Sequence, residues 1–225
     1  PVEEPADTIA ELRRVVAKGA RSVQVDAFPD NVGSPHYSDP VWEPLWSEIE
    51  AAGIPLAFHI QGPRSMQLAR LFEPTPGVRE AFISLSPMGI GELIAQLIFC
   101  GICQRHPGLR FVVVETGIGW LPYFLERMDA TFKKHRFWTQ SIITELPSVY
   151  WYRQGHATFI EDHAGVKLRH EAGLDNILWS SDYPHSDSTW PRSREVVAEH
   201  FQGIPEAERR QVVWGNAARL YQIAA

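Results

Sequence analysis

The chain has 225 residues, 44% of them hydrophobic, and a formal net charge of −6, which is enough material to bury the core of one large domain. No concentrated basic patch of the kind that nucleic acid or an anionic membrane requires stands out, and no uninterrupted apolar run reaches the roughly 18 residues that span a bilayer. The expected partner is a small molecule, and the acidic opening Pro1-Val-Glu-Glu-Pro-Ala-Asp lacks the pattern of a secretory leader, so a cytoplasmic protein is expected.

Along the chain a helical pattern gives way, through a Gly or Pro break, to a β-rich run, and this happens five times. The first unit pairs a helix over Thr8 to Ala20, with Ile9, Leu12, Val15 and Val16 on one face, with a strand over Ser22 to Ala27. In the second, Asp39 and Pro40 suit N-cap and N1 of a helix carrying Trp42, Leu45, Trp46 and Ile49; Gly53 closes it before Pro55-Leu-Ala-Phe-His59. The third runs from a helix over Gly91 to Arg105 to the strand Leu109 to Glu115.

The fourth unit joins a helix after Trp120 and a shorter one near Tyr150 to the strand Ala157 to Glu161, and the fifth joins Val166 to Glu171 to the strand Asn176 to Asp182. Arg192 to Phe201 and Glu206 to Ile223 read as closing helices. Strands alternating with helices imply a parallel sheet with crossover connections. Phe28 to Ser38 and Gln61 to Gly89 show no clear period and follow strand ends, where ligand-binding lids are usual.

Chemistry-bearing residues gather where the strands end. His59, Glu115, the run Glu161-Asp162-His163, and Asp182 with His185 all stand at or just past a strand C-terminus. Rigid strand ends can hold imidazole and carboxylate groups at the fixed distances a divalent ion needs. Glu115 precedes Gly117 and Gly119, so it can alternatively serve the N-terminus of the helix after Trp120. His106, His135, His170 and His200 read as surface or capping residues. Cys100 and Cys103 lie inside a periodic helix, and two thiolates cannot complete a four-ligand zinc site, so they read as packing thiols.

These residues carry a resemblance. Gly19-Ala-Arg-Ser-Val-Gln-Val, Phe58-His59-Ile, His106-Pro-Gly-Leu-Arg-Phe-Val-Val-Val-Glu-Thr-Gly, Leu178-Trp-Ser-Ser-Asp-Tyr-Pro-His and Gly215-Asn-Ala-Ala-Arg-Leu-Tyr together make the chain resemble the amidohydrolase-related family. That group of metal-dependent TIM barrels includes aminocarboxymuconate-semialdehyde decarboxylase. The resemblance implies a (β/α)8 barrel of which residues 1–225 form the C-terminal portion of a single domain, with about the last five βα units present and the first strands missing.

It also implies a divalent metal, usually zinc, with His59 and Asp182 as ligands and Asp182 as acid/base. Glu115 stands where better-known members carry a histidine, and it joins the expected metal set. His185 is expected beside Asp182 in catalysis, with Trp120 and Trp190 lining the mouth for substrate. The histidine pair of the family's first strand has no counterpart. Some relatives dimerise, which sets the expectation of a homodimer.

Two readings follow. The first is a metal-dependent hydrolase or non-oxidative decarboxylase of a small aromatic or carboxylated compound. The second is a barrel without metal that serves as a binding or interaction module, which the Glu115 replacement favours. A nucleotide-binding doubly wound domain is disfavoured, because no strand leads into a glycine-rich phosphate loop.

Overall fold

The computed structural model describes residues 4–60 and 74–223. Five short strands, β1 (Val23–Val25), β2 (Leu56–His59), β3 (Phe111–Val114), β4 (Gly155–Phe159) and β5 (Ile177–Trp179), form one sheet in the order β1-β2-β3-β4-β5. Every neighbouring pair is parallel, with Val23 opposite Leu56, Leu56 opposite Phe111, Phe111 opposite Gly155 and Ala157 opposite Ile177. All five C-termini therefore point the same way. The sheet is part of a barrel, with β1 and β5 as its outer strands among the described residues.

Alternation along each strand separates two faces. Leu56, Phe58, Phe111, Val113, Ala157, Phe159 and Ile177 enter a large core beneath the helices. Val112 and Leu178 face the other way, where Leu220 and Tyr221 at the chain's end cover them. His59 stands opposite Val114 in the register and so shares that second face.

The helices follow the sequence pattern with instructive shifts. Helix α1 spans Pro5–Ala17, one turn earlier than its apolar stripe suggests, because Pro5 suits the first helical position and Asp7 falls in the first turn. Asp39 caps as expected: its carboxylate accepts the Val41 N–H at 2.9 Å, opening a short turn that leads into α2 (Glu43–Ala52), and Gly53 closes α2 at φ +64°.

The segment Phe28 to Ser38 is not a free lid. Phe28 and Tyr37 are fully buried, and the Tyr37 ring meets Trp42, Trp46 and Phe58 edge-on at 5.2, 5.2 and 5.9 Å. Rings of that size, once covered, contribute about 2–3 kcal/mol each, which outweighs the freedom of the loop.

The second aperiodic segment also differs from expectation. Residues 61–73 of it lie outside the described residues, but α3 (Val78–Gly89) is helical, with only Phe82 buried. Ser84 and Ser86 turn their hydroxyls back onto the helix carbonyls of Glu80 and Ile83, and Pro87 lies within the helix, so its apolar period is blurred. Helix α4 (Gly91–Phe99) follows directly, and Val78–Phe99 together is long and apolar enough to cross a bilayer by composition. Its second half is core: Leu93, Ile94, Leu97 and Ile98 are completely buried.

Gly101, at φ +74°, breaks the expected single helix into α4 and α5 (Ile102–Arg105). Cys100 and Cys103 are unpaired thiols on either side of that break. Burial pushes Cys103 up to about 12, as befits a packing thiol. Helices α6 (Leu121–His135), α7 (Pro147–Gln154), α8 (His163–Lys167) and α9 (Arg169–Ala172) complete the middle of the chain. After β5 come α10 (Ser193–His200), α11 (Glu206–Arg210), a π turn over Gln211–Gly215, and α12 (Asn216–Leu220).

Candidate active site

The last residue of β2 and the first residue beyond β3 meet at the C-terminal rim of the sheet. His59 Nε2 lies 2.9 Å from Glu115 Oε1, and Val114 beside them is the register partner of His59. Glu115 takes a left-handed backbone, φ +62°, and its N–H is held by Thr158 Oγ1 of β4 at 2.8 Å. A non-glycine residue in that region is strained. The twist ends the strand abruptly and keeps the carboxylate at the rim.

Asp182 repeats the device two strands along. It too is left-handed, φ +56°, three residues past β5. Its side chain is only 7% exposed, with Oδ2 lying 3.2 Å from His185 Nδ1. The angles do not make a hydrogen bond, and Oδ2 is left buried with no hydrogen-bond partner. Burial, and then the Glu115 carboxylate beside it, push Asp182 above the usual carboxylate range, while His185 pulls it back. Two carboxylates and an imidazole thus crowd one spot, with a buried oxygen that has the ion-pair contact to His185 and no hydrogen bond.

A buried, unsatisfied carboxylate oxygen against a second carboxylate is what a cation would relieve. The donor set also suits a divalent ion: one imidazole nitrogen and carboxylate oxygens. As they stand, no three His, Cys, Asp or Glu side chains among the described residues close into an ion cage. Instead His59 and Glu115 are turned toward each other.

Why Glu115 remains available is explained by Asp162, the middle residue of the acidic run after β4. Asp162 Oδ2 accepts the backbone N–H groups of both Ile118 and Gly119 at 2.7 Å, and its Oδ1 accepts that of Gly165 at 2.7 Å. One carboxylate therefore caps α8 and also takes the amides leading into α6. The alternative role for Glu115, serving that helix start, is already filled. The cradle needs its glycines: a Cβ on Gly119 would stand 2.8 Å from Asp162 Oδ1. Ser or Asp before a short helix is common enough that only the spatial meeting of two loops reveals this.

The other expected residues fall into three places. His185 is 67% exposed beside Asp182, and Trp190, also exposed, packs its ring 5.3 Å from that of Tyr183 to form an aromatic lip on the same loop. Trp120 is half-buried: its N–H is spent on the Thr116 carbonyl at 2.8 Å and its ring lies 5.4 Å from Phe124. On either side of Asp162, Glu161 is exposed, and His163 stacks on His200 at 3.9 Å.

Two histidines read as surface residues are in fact buried. His200 is held under His163 with Nδ1 against the Val196 carbonyl at 2.9 Å. His106 sits at the far end of the sheet between Glu43 and Glu50, with Nε2 2.8 Å and Nδ1 3.1 Å from their carboxylates. A histidine in a helix-ending turn carries no sequence mark of such long-range partners.

The Amidohydrolase family model matches residues 1–223. Over 247 aligned residues, 99% of this chain is 27% identical to the gamma-resorcylate decarboxylase of Rhodococcus jostii (strain RHA1), covering 69% of that protein. The 5-carboxyvanillate decarboxylase of Sphingomonas paucimobilis has a similar fold, with a TM-score of 0.81 at 24% identity over 98% of this chain. This chain spans 64% of the length of that structure. A dihydroxybenzoic acid decarboxylase of Polaromonas sp. JS666, solved with manganese and 2-nitroresorcinol, matches with a TM-score of 0.71 at 21% identity, covering 98% of this chain and 67% of that one.

Proposed function

This chain belongs to the amidohydrolase family, and from that premise we propose that it is part of a metal-dependent, non-oxidative decarboxylase of a small aromatic carboxylate. The observation that carries the proposal is Asp182: a buried carboxylate just past a strand end, one oxygen without a hydrogen bond, beside Glu115, which in turn meets His59. The similarity to decarboxylases of resorcylate and carboxyvanillate supports the substrate class. His59, Glu115 and Asp182 would hold a divalent ion. The resemblance suggests zinc, and the relative solved with manganese suggests that manganese be tested beside it. When bound, such an ion would draw in the substrate's oxygens and withdraw charge from them.

The chain's own residues supply the rest. In this reading Asp182 holds a proton and passes it to the ring carbon that bears the carboxyl group, a role that its raised proton affinity beside Glu115 supports. As that C–H bond forms, the C–C bond to the carboxyl breaks, its electron pair returns to the ring, and carbon dioxide leaves. His185, 3.2 Å from Asp182 and open to solvent, can return a proton to Asp182. Tyr183 and Trp190 give a planar ring an apolar wall at the loop's edge, with the half-exposed Trp120 ring behind the Glu115 turn.

The test is carbon dioxide release from 2,6-dihydroxybenzoate and 5-carboxyvanillate by the intact protein, with zinc and with manganese. Release that Asp182→Asn abolishes supports the proposal. Hydrolysis of aryl esters or amides without any release of carbon dioxide would move the reaction to the hydrolases of the same family.

A further inference from the structure

Behind β5, on the helix side of the sheet, lies a cleft of about 460 Å³ walled by Trp179, Val197, Val213 and Trp214. It is separate from the strand-end site in both lining and chemistry. Val213 and Trp214 come from the π turn Gln211–Gly215. Such turns interrupt a helix at a cost and recur at functional sites. Here the turn sends the Trp214 ring, 42% exposed, to the cleft.

Its charge is unlike that of the chain as a whole. Arg194, Arg209 and Arg210 line the cleft with a single carboxylate, Glu206, on a chain of formal net charge −6. Arg209 is committed to Glu206 at 2.7 Å. Arg194 and Arg210 make no side-chain hydrogen bond or ion pair with any described residue, and neither does the Trp214 indole N–H. Two exposed guanidinium forks beside two indole rings can grip a planar anion and cover its ring.

The geometry points to a second binding site, for a small planar aromatic carboxylate, in this cleft. The indole and valine walls take the ring, while Arg194 and Arg210 take the carboxylate. A bare inorganic anion would leave the indoles uncovered, and a neutral aromatic would leave the guanidinium groups unanswered. The volume falls in the range of small-molecule sites. This inference stands apart from the strand-end chemistry, since the two sites share no residue.

Titration calorimetry with benzoate tests it, using the intact protein, Asp182→Asn, and the double variant Arg194→Gln/Arg210→Gln. Both arginines are exposed, so the double variant is expected to fold, and circular dichroism checks this. Saturable binding of benzoate should persist in Asp182→Asn and weaken about tenfold or more in the double variant, as loss of charge-assisted hydrogen bonds implies. Benzamide and inorganic phosphate should each bind at least about tenfold more weakly than benzoate. Trp214→Leu should weaken benzoate while leaving phosphate unchanged. The inference is overturned if the double variant binds benzoate like wild type, if benzamide or phosphate matches benzoate, if Asp182→Asn alone removes binding, or if no saturable binding occurs.

Discussion

His106 and His59 are both histidines set against glutamates, at opposite ends of the same sheet, and they differ in what is left over. Around His106 nothing is left. Both ring nitrogens meet carboxylates, Arg105 engages Glu43 through two nitrogens at 3.1 Å, Gly108 donates its N–H to Glu50 at 2.6 Å, and Gln154 donates to the His106 carbonyl at 2.8 Å. This network ties α2 to the turn before β3. Around His59 the accounts do not close. Glu115 and Asp182 are both strained, they crowd one another, and one Asp182 oxygen is buried without a hydrogen bond. The same residue types therefore build a clamp where all partners are internal and a site where one is missing.

The sharpest way to break this comparison is at Asp182. Asp182→Asn should lower carbon dioxide release by about 10³-fold, within the usual reach of a lost acid/base group. With both proteins stripped of metal, the midpoint of urea unfolding should stay unchanged or rise, because the substitution removes a charge from a crowded, buried spot. A large loss of stability would make Asp182 a structural residue. His106→Ala should do the opposite: about 3 kcal/mol of stability lost in urea unfolding, since two carboxylates lose their shared donor, with turnover per folded molecule retained.

Asp162 lies between these extremes, a structural carboxylate acting on the site. Asp162→Ala removes three short bonds to backbone N–H groups and should cost about 2 kcal/mol. It should also lower kcat about tenfold with little change in KM, because it frees the turn that aims Glu115. If kcat is untouched while stability falls, Asp162 serves the fold alone.

The smallest effect concerns His156, on β4, whose buried Nδ1 has no partner. Burial, reinforced by Arg110 and Arg219, brings it down from 6.5 to about 4. Because the folded value is the lower one, the unfolded chain takes up the proton first. The full stability is present above pH 6.5 and is lost as pH falls toward 4. About 1 kcal/mol should disappear between pH 7 and about pH 5.5, and His156→Gln should flatten that slope in urea titrations.

The sequence pattern made the parallel sheet legible because each strand is a short apolar run between a helix-ending Gly or Pro and a polar residue. For the same reason His59, Glu115, Asp182 and His185 could be picked out: a residue ending a buried parallel strand has one place to go. What stayed hidden depends on contacts across the chain. Asp162 reaches amides 43 and 44 residues away, and His106 meets Glu43 and Glu50 across similar distances. Helix α3 escaped notice because its serines and Pro87 blur the apolar period, and the buried Tyr37 turned an apparent lid into core.

Metal content of the intact protein tests the central contrast most directly, measured by elemental analysis beside Asp182→Asn and His106→Ala. The account predicts about one divalent ion per chain in the wild type and in His106→Ala, and its loss in Asp182→Asn. Wild-type protein without an ion, or an ion that follows His106 instead of Asp182, would contradict it.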